Sequence, residues 1–112
     1  MAARYLVDKG YYIRERDWRK GHRDIDIVAL NPTENILVFV EVKARKAAEA
    51  AKPEQAVDRK KVRNMARVTD SYVKQLGFEG EIRFDIVAVT GSDESDVQIE
   101  HIQDAFNPLL SL

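Results

Sequence analysis

Residues 24–43 read DIDIVALNPTENILVFVEVK, two apolar runs rich in β-branched side chains on either side of a short polar break. Short apolar runs bounded by turn residues predict β-strands. The break at 31–35 contains proline and asparagine, which favour turns. We therefore predict a β-hairpin with strands at 25–30 and 36–43. Because both faces of each run are apolar, the two strands should be central in a sheet that helices cover.

The segments outside the hairpin show helical and extended patterns. Residues 2–10 predict a short helix that ends at Gly10, and residues 11–19 predict a first strand. After the hairpin, a long helix is predicted from Pro53 to Leu76, followed by strands at 81–89 and 97–102. This order predicts an α/β fold with a mixed central sheet flanked by helices, in which the long helix crosses over and places the fourth strand parallel to the third.

Composition narrows the class of protein. A chain of 112 residues has the size of one domain, and we predict a single domain over 1–112. The absence of cysteine excludes disulfides, thiolate metal sites and cysteine nucleophiles. The apolar runs are too short to span a membrane, and the charged start MAARYLVDKG is unlike a signal peptide. We therefore expect a cytoplasmic protein without a membrane partner.

Four charged residues lie at the open end of the predicted hairpin. A turn centred at 33–34 pairs residues whose numbers sum to 67, which places Asp26 opposite Glu41 and Asp24 opposite Lys43. Directly opposed side chains in an antiparallel pair have Cβ atoms about 4.5–5.5 Å apart. Because side chains alternate along a strand, the two aspartates should also share the face of the even-numbered apolar positions of their strand.

This arrangement predicts either a metal site or an ion pair. Two carboxylates this close repel each other unless a proton or a cation lies between them. Mg²⁺ prefers oxygen ligands and retained waters, whereas the two histidines of the chain lie in separate segments and give no zinc site. A divalent ion beside Lys43 would suit phosphodiester hydrolysis. The alternative is an ordinary Asp24–Lys43 ion pair, with Asp26 and Glu41 solvated.

The residues carry a resemblance that covers nearly the whole chain. The segments DIDIVA and VFVEVKAR resemble the PD-(D/E)xK nuclease motif, and the ordered set is similar to the YraN-like family of small bacterial proteins. The matching segments are YLVDKGY (5–11), WRKGHRDIDIVA (18–29), VFVEVKAR (38–45), PEQAVDRKKVRNMAR (53–67), RFDIVAV (83–89) and IEHIQDAF (99–106).

The resemblance implies a restriction-endonuclease-like αβββαβ core with Mg²⁺ (or Mn²⁺) held by Asp26 and Glu41 and with Lys43 as the catalytic lysine. It also implies nuclease activity on DNA. The family is similar to the archaeal junction resolvases, which act on structured or branched DNA, and this extends the expectation to such substrates. The chain departs from the family in two respects. Asp24 replaces the glutamate of the family pattern, and no acidic residue precedes Asp8, so we expect an N-terminus that is truncated relative to the family or that lacks a further metal contact.

A cluster of basic residues follows the third predicted strand. Residues 43–67 contain nine basic and three acidic side chains in a chain of net charge −1. Such a cluster predicts either contact with DNA phosphates or a solvated helix face. We expect DNA as the partner and, because so small a chain covers one strand of a duplex, a homodimer. The candidate nucleic-acid-binding residues are Arg45, Arg59, Lys60, Lys61, Arg63 and Arg67.

Several residues have secondary interpretations. Asp24 and His22 are auxiliary site candidates. Asp24 would bind the metal or pair with Lys43. His22 would act as an acid or base, or contact a phosphate. Asp85 lies inside an apolar strand, where we expect an ion pair or a capping role, and we expect His101 at the surface. Trp18 and Tyr11 are expected in the core.

Two other functions stay open. One is a nucleic-acid-binding module on the same fold that does not cleave. The other is a protein-interaction domain whose contact surface is the acidic segment 93–104.

Overall fold

The computed structural model of the chain describes residues 1–21, 23–45, 59–91 and 96–105. The predicted start of the long helix at Pro53, His22 and the acidic residues at 93–95 lie outside these ranges. The helices and strands of the described ranges are α1 (Ala2–Asp8), β1 (Tyr12–Lys20), β2 (Arg23–Asn31), β3 (Ile36–Arg45), α2 (Arg59–Leu76), β4 (Glu81–Thr90) and β5 (Gln98–Ile102).

The five strands form one mixed sheet in the order β1-β2-β3-β4-β5. Strands β1, β2 and β3 are antiparallel neighbours, β3 and β4 are parallel, and β5 returns antiparallel to β4. The parallel pair follows from the crossover through α2, as the sequence predicted. This is an α/β fold with a mixed sheet flanked by helices, consistent with a restriction-endonuclease-like αβββαβ core.

The β2–β3 hairpin has the predicted register over its closed half. The pairs run from Asn31↔Ile36 to Ile27↔Val40, and in each the residue numbers sum to 67. The Asn31 side chain organises the turn, because its Oδ1 accepts hydrogen bonds from the backbone amides of Thr33 at 3.1 Å and Glu34 at 3.2 Å. An asparagine that binds the amides two and three residues later replaces the missing ladder bonds at a turn.

Each face of the sheet is covered by its own helix. Helix α1 packs on one face, where Leu6 is fully buried in a cluster with alternate residues of the central strands. Helix α2 packs on the opposite face through Met65, Val68 and Tyr72. Apolar burial on both faces confirms that β2 and β3 are central strands. Phe39 packs against both α2 and β4, since its ring centroid lies 5.9 Å from that of Tyr72 and 5.7 Å from that of Phe84.

The ends of the described helices follow the sequence closely. At the end of α1 the amide of Tyr11 donates to the Leu6 carbonyl and that of Gly10 donates to the Val7 carbonyl, each at 3.0 Å. This is a Schellman cap, and Gly10 at φ 97° supplies the left-handed residue that it requires. Helix α2 ends before Gly77, as predicted. Met65, Val68 and Tyr72 of this helix are buried, but its last residue, Leu76, is exposed.

In the described ranges, neither helix has the length and apolar character needed to cross a membrane.

Candidate active site

Strands β2 and β3 separate at the point where the charged residues begin. Their paired positions end at Ile27↔Val40. The Val42 amide donates instead to the Asp26 side chain, with 2.8 Å between Val42 N and Asp26 Oδ2. The predicted continuation of the register to Asp26–Glu41 and Asp24–Lys43 is therefore wrong within the described ladder. In a continued register Val42 would lie opposite Ile25, but its amide donates to the Asp26 carboxylate instead.

An irregularity in β1 and β2 explains this separation. Ile25 and Val28 pack in the same cluster on the α2 face, whereas Ile27 packs on the α1 face. Strict alternation would put Ile25 with Ile27. The break coincides with Asp17, a left-handed residue at φ 49° on β1, which lies between the pairs Arg16↔Ile27 and Trp18↔Ile25. The prediction that Asp26 shares the face of Val28 by alternation therefore does not hold across this break.

Glu41 and Lys43 form an ion pair along β3. Lys43 Nζ lies 3.3 Å from Glu41 Oε1, and the Glu41 side chain is only 2% exposed. Phe39 packs toward α2 while Val40 packs toward α1, so alternation places Glu41 on the α2 face. A buried carboxylate is costly without a partner, and Lys43 supplies one. Asp24, the partner expected for Lys43, is exposed and lies opposite Arg19 in the β1–β2 ladder.

Glu41 and Lys43 lie together on β3, and Asp26 contacts the same strand through the backbone amide of Val42 between them. No group of three or more His, Cys, Asp or Glu side chains in the described ranges could hold a metal ion. The oxygen ligands that Asp26 and Glu41 offer are of the kind that Mg²⁺ and Mn²⁺ prefer, and they do not suit zinc.

An open cleft borders Asp26 on the side of the first helix. Its volume is about 420 Å³. It is lined by the first three residues of the chain together with Arg16, Asp17, Asp26, Ile27 and Val42. A carboxylate at the wall of an open cleft is accessible to an ion or a ligand.

The basic residues of α2 lie on its exposed side. Lys60, Arg63 and Arg67 recur at intervals of three and four and are exposed, and none of them has an ion pair with another described residue. Lys74, further along α2, pairs with Asp70 at 2.9 Å. The side chains of Arg45, Arg59 and Lys61 lie outside the described part of the chain, as does His22.

A second polar cluster, buried under α1, was only partly predicted. Asp85 on β4 is fully buried, and its two oxygens each lie 2.9 Å from a guanidinium nitrogen of Arg83. His101 Nε2 lies 2.7 Å from Asp85 Oδ2, and the Asp104 amide donates to Oδ1 at 3.0 Å. Arg83 also donates to the Tyr11 hydroxyl at 2.6 Å. The expected ion pair of Asp85 is confirmed.

His101 is not at the surface, as its side chain is 6% exposed. The sequence signal that could have placed it is the acid inside the apolar run RFDIVAV, which requires partners from adjacent elements. Burial alone would raise the pKa of Asp85. The hydrogen bonds from His101, Arg83 and the Asp104 amide outweigh that cost and hold the pKa of Asp85 below its ordinary value.

Comparison with known proteins identifies a family. The model of the uncharacterised protein family UPF0102 matches residues 1–89. The UPF0102 protein of Bacteroides thetaiotaomicron is 46% identical over 109 residues, 97% of this chain and 88% of the relative. That of Phocaeicola vulgatus is 43% identical over 107 residues, 96% and 86% of the two chains. That of Chlorobium chlorochromatii is 40% identical over 111 residues, 95% and 84% of the two chains.

Among solved structures, Pyrococcus furiosus SfsA in complex with Ca²⁺ matches 90% of this chain and 58% of that chain. The chain therefore spans less than two thirds of that protein. The TM-score is 0.31 and the sequence identity 13%, which are too low to bear on function.

Proposed function

The chain belongs to the uncharacterised protein family UPF0102, the YraN-like family, and from its candidate site we propose that it is a metal-dependent nuclease that hydrolyses phosphodiester bonds in DNA. The observation that carries the proposal is the Glu41–Lys43 ion pair at 3.3 Å, adjoining the Val42 amide that Asp26 binds. An acid and a lysine two residues apart at the open end of a hairpin are positioned for phosphoryl chemistry, whereas a purely structural ion pair needs no second carboxylate beside it.

In this proposal Asp26 and Glu41 hold Mg²⁺ or Mn²⁺ with the remaining positions taken by water. A bound divalent ion would lower the pKa of a coordinated water and polarise a phosphoryl oxygen. Asp26 is fixed for this task because the Val42 amide holds one of its oxygens. Glu41 is fixed by burial and by Lys43.

Lys43 contributes a mobile positive charge. Its ammonium group carries three rotatable donors, is 22% exposed and lies beside Glu41, so it can orient an attacking water or stabilise charge that develops on the phosphoryl oxygens. Burial of Glu41 keeps water from screening this charge, which strengthens its effect on the reacting group.

The exposed cations of α2 would bind the substrate backbone. Lys60, Arg63 and Arg67 have no ion pair with another described residue, so their charges are available to phosphates. Phosphate contacts of this kind position a duplex without reading its sequence. A branched or otherwise structured DNA, and a homodimer that engages both strands, would fit a site on so small a protein.

Incubation of the protein with Mg²⁺ or Mn²⁺ and with linear duplex, branched and single-stranded DNA tests the proposal. Cleavage of any of the three, absent in chelator, supports a nuclease. Binding without cleavage of all three favours a nucleic-acid-binding module on the same fold. If the protein neither binds nor cleaves any of the three DNAs, both the nuclease and the binding-module interpretations are wrong.

Neutralising the α2 cations should weaken DNA binding and reduce its salt dependence. We expect the double variant Arg63→Gln/Arg67→Gln to lower the slope of log affinity against log salt by about 2, since each phosphate contact contributes about 1. Lys74→Gln is the matched control, because Lys74 is exposed on the same helix but already paired with Asp70. Fluorescence anisotropy at several salt concentrations measures the slopes. Equal slopes in the double variant and in Lys74→Gln would mean that the α2 cations form a solvated helix face and do not contact DNA.

A further inference from the structure

Arg16 lines the cleft that borders Asp26, although strand alternation alone would not have directed it there. Arg16 on β1 lies opposite Ile27 of β2, and Ile27 packs on the α1 face of the sheet. Two residues later, Trp18 packs against Tyr72 on the α2 face, with ring centroids 5.1 Å apart. Residues two apart on a regular strand share a face, so the left-handed Asp17 between them is what separates their directions.

The Arg16 guanidinium is exposed and uncommitted. In the part of the chain that the structure describes, it has no hydrogen bond or ion pair. Two other arginines of the sheet are engaged: Arg14 donates to the Tyr72 hydroxyl at 3.1 Å, and Arg83 binds Asp85. Arg16 is therefore a free cation on the wall of a cleft of about 420 Å³ that Asp17 and Asp26 also line.

We propose that Arg16 binds a backbone phosphate of a DNA strand that enters this cleft beside Asp26. This inference rests on the proposed nuclease function and adds a substrate contact on the α1 side of the sheet, opposite the cations of α2. A guanidinium presents paired donors that match the oxygens of a phosphate. Asp17 and Asp26 also line the cleft, so a divalent cation held by a carboxylate there would favour entry of a phosphate.

The rival explanation is that Arg16 only protects the sheet edge. Strand β1 is an edge strand, and charged side chains on an edge discourage pairing with other chains. Arg19 separates the two explanations, because it is an exposed arginine on the same edge strand but pairs opposite Asp24 and is not part of the cleft lining.

The test compares wild type, Arg16→Gln and Arg19→Gln on a short duplex. Fluorescence anisotropy in Ca²⁺, which takes the same oxygen ligands as Mg²⁺, measures affinity across a salt series. We expect Arg16→Gln to weaken binding about tenfold and to lower the salt slope by about 1, while Arg19→Gln matches wild type. Cleavage in Mg²⁺, measured in parallel, should show a raised KM in Arg16→Gln. Circular dichroism melting confirms that both variants fold.

The outcomes separate this inference from the nuclease proposal. If wild type cleaves and the two arginine variants behave alike in affinity, slope and KM, the Arg16 contact is wrong and the nuclease stands. If wild type binds without cleaving and Arg16→Gln alone weakens binding, the contact stands and the nuclease is wrong. If wild type neither binds nor cleaves DNA, both are overturned.

Discussion

Replacement of Lys43 by glutamine should lower Mg²⁺-dependent DNA cleavage by about 10²–10³-fold, the usual cost of removing one group that stabilises transition-state charge. The affinity for DNA should change little, because the bulk of the phosphate contacts is assigned to other cations. Initial rates of cleavage under single-turnover conditions measure the effect directly.

The same change alters the environment of Glu41, which gives a second readout. Without Lys43 the buried Glu41 carboxylate loses the ammonium group that lies 3.3 Å from it. Lys43→Gln should therefore melt at a lower temperature without metal, and Mg²⁺ should restore more of its melting temperature than it adds to wild type. Binding of a cation that favours the folded state raises its stability.

Two variants control for this loss of stability. Lys43→Arg keeps the charge and should melt near wild type, but its planar fork does not replace a rotatable ammonium, so cleavage should stay impaired. Lys74→Gln removes an exposed lysine of α2 that is paired with Asp70, and it should leave the maximal cleavage rate unchanged. If Lys43→Gln cleaves DNA at a rate within a few-fold of wild type, Lys43 does not take part in the chemical step.

Replacement of Asp85 by asparagine should destabilise the fold by about 3 kcal/mol, because removal of one partner of a buried ion pair leaves the other charge uncompensated. Arg83 would keep its contact with Tyr11, but His101 and Arg83 would both lose a charged acceptor. Urea denaturation at neutral pH measures the free energy of unfolding. Asp70→Asn is the matched control, since the Asp70–Lys74 pair is exposed and such pairs contribute about 0.5 kcal/mol.

The pH dependence of stability should report the same residue. Because the folded protein holds the pKa of Asp85 below its ordinary value, the unfolded state binds the proton more readily. The stabilisation is therefore complete above the ordinary carboxyl pKa of about 4 and is lost as the pH falls through the lowered pKa. Asp85→Asn should flatten this acid limb. If wild type and Asp85→Asn lose stability equally as the pH falls, or if Asp85→Asn and Asp70→Asn lose equal free energies of unfolding, Asp85 does not have the proposed stabilising role.

Much of the fold could be predicted because its strands carry strong local patterns. The runs at 25–30 and 36–40 are apolar on both faces, and only a central position in a helix-covered sheet buries both. The Asn31 turn fixed the register of the closed half of the hairpin. Gly10 and Gly77 marked the helix ends because each adopts positive φ at the end of a helix.

The open end of the hairpin could not be predicted in the same way. Alternation assumes regular strands, and nothing local in RERDWRK shows that Asp17 adopts a left-handed conformation, beyond the tolerance of aspartate for it. That single residue redirects its neighbours and accompanies the departure of Asp26 toward the Val42 amide. Two partners of Asp85, His101 and the Asp104 amide, are 16 and 19 residues away, so these contacts depend on where β5 docks.

The proposed function depends on a divalent cation held by Asp26 and Glu41 beside Lys43. Calorimetric titration of Mg²⁺ into the wild-type protein and into Glu41→Gln, at neutral pH and without DNA, tests it most directly. We predict saturable binding to wild type and at least about tenfold weaker binding to the variant, since neutralising one of two carboxylates removes half of the anionic ligands. Circular dichroism shows whether the variant is folded. Absence of Mg²⁺ and Mn²⁺ binding by wild type, or equal binding by folded wild type and Glu41→Gln, would contradict this proposal.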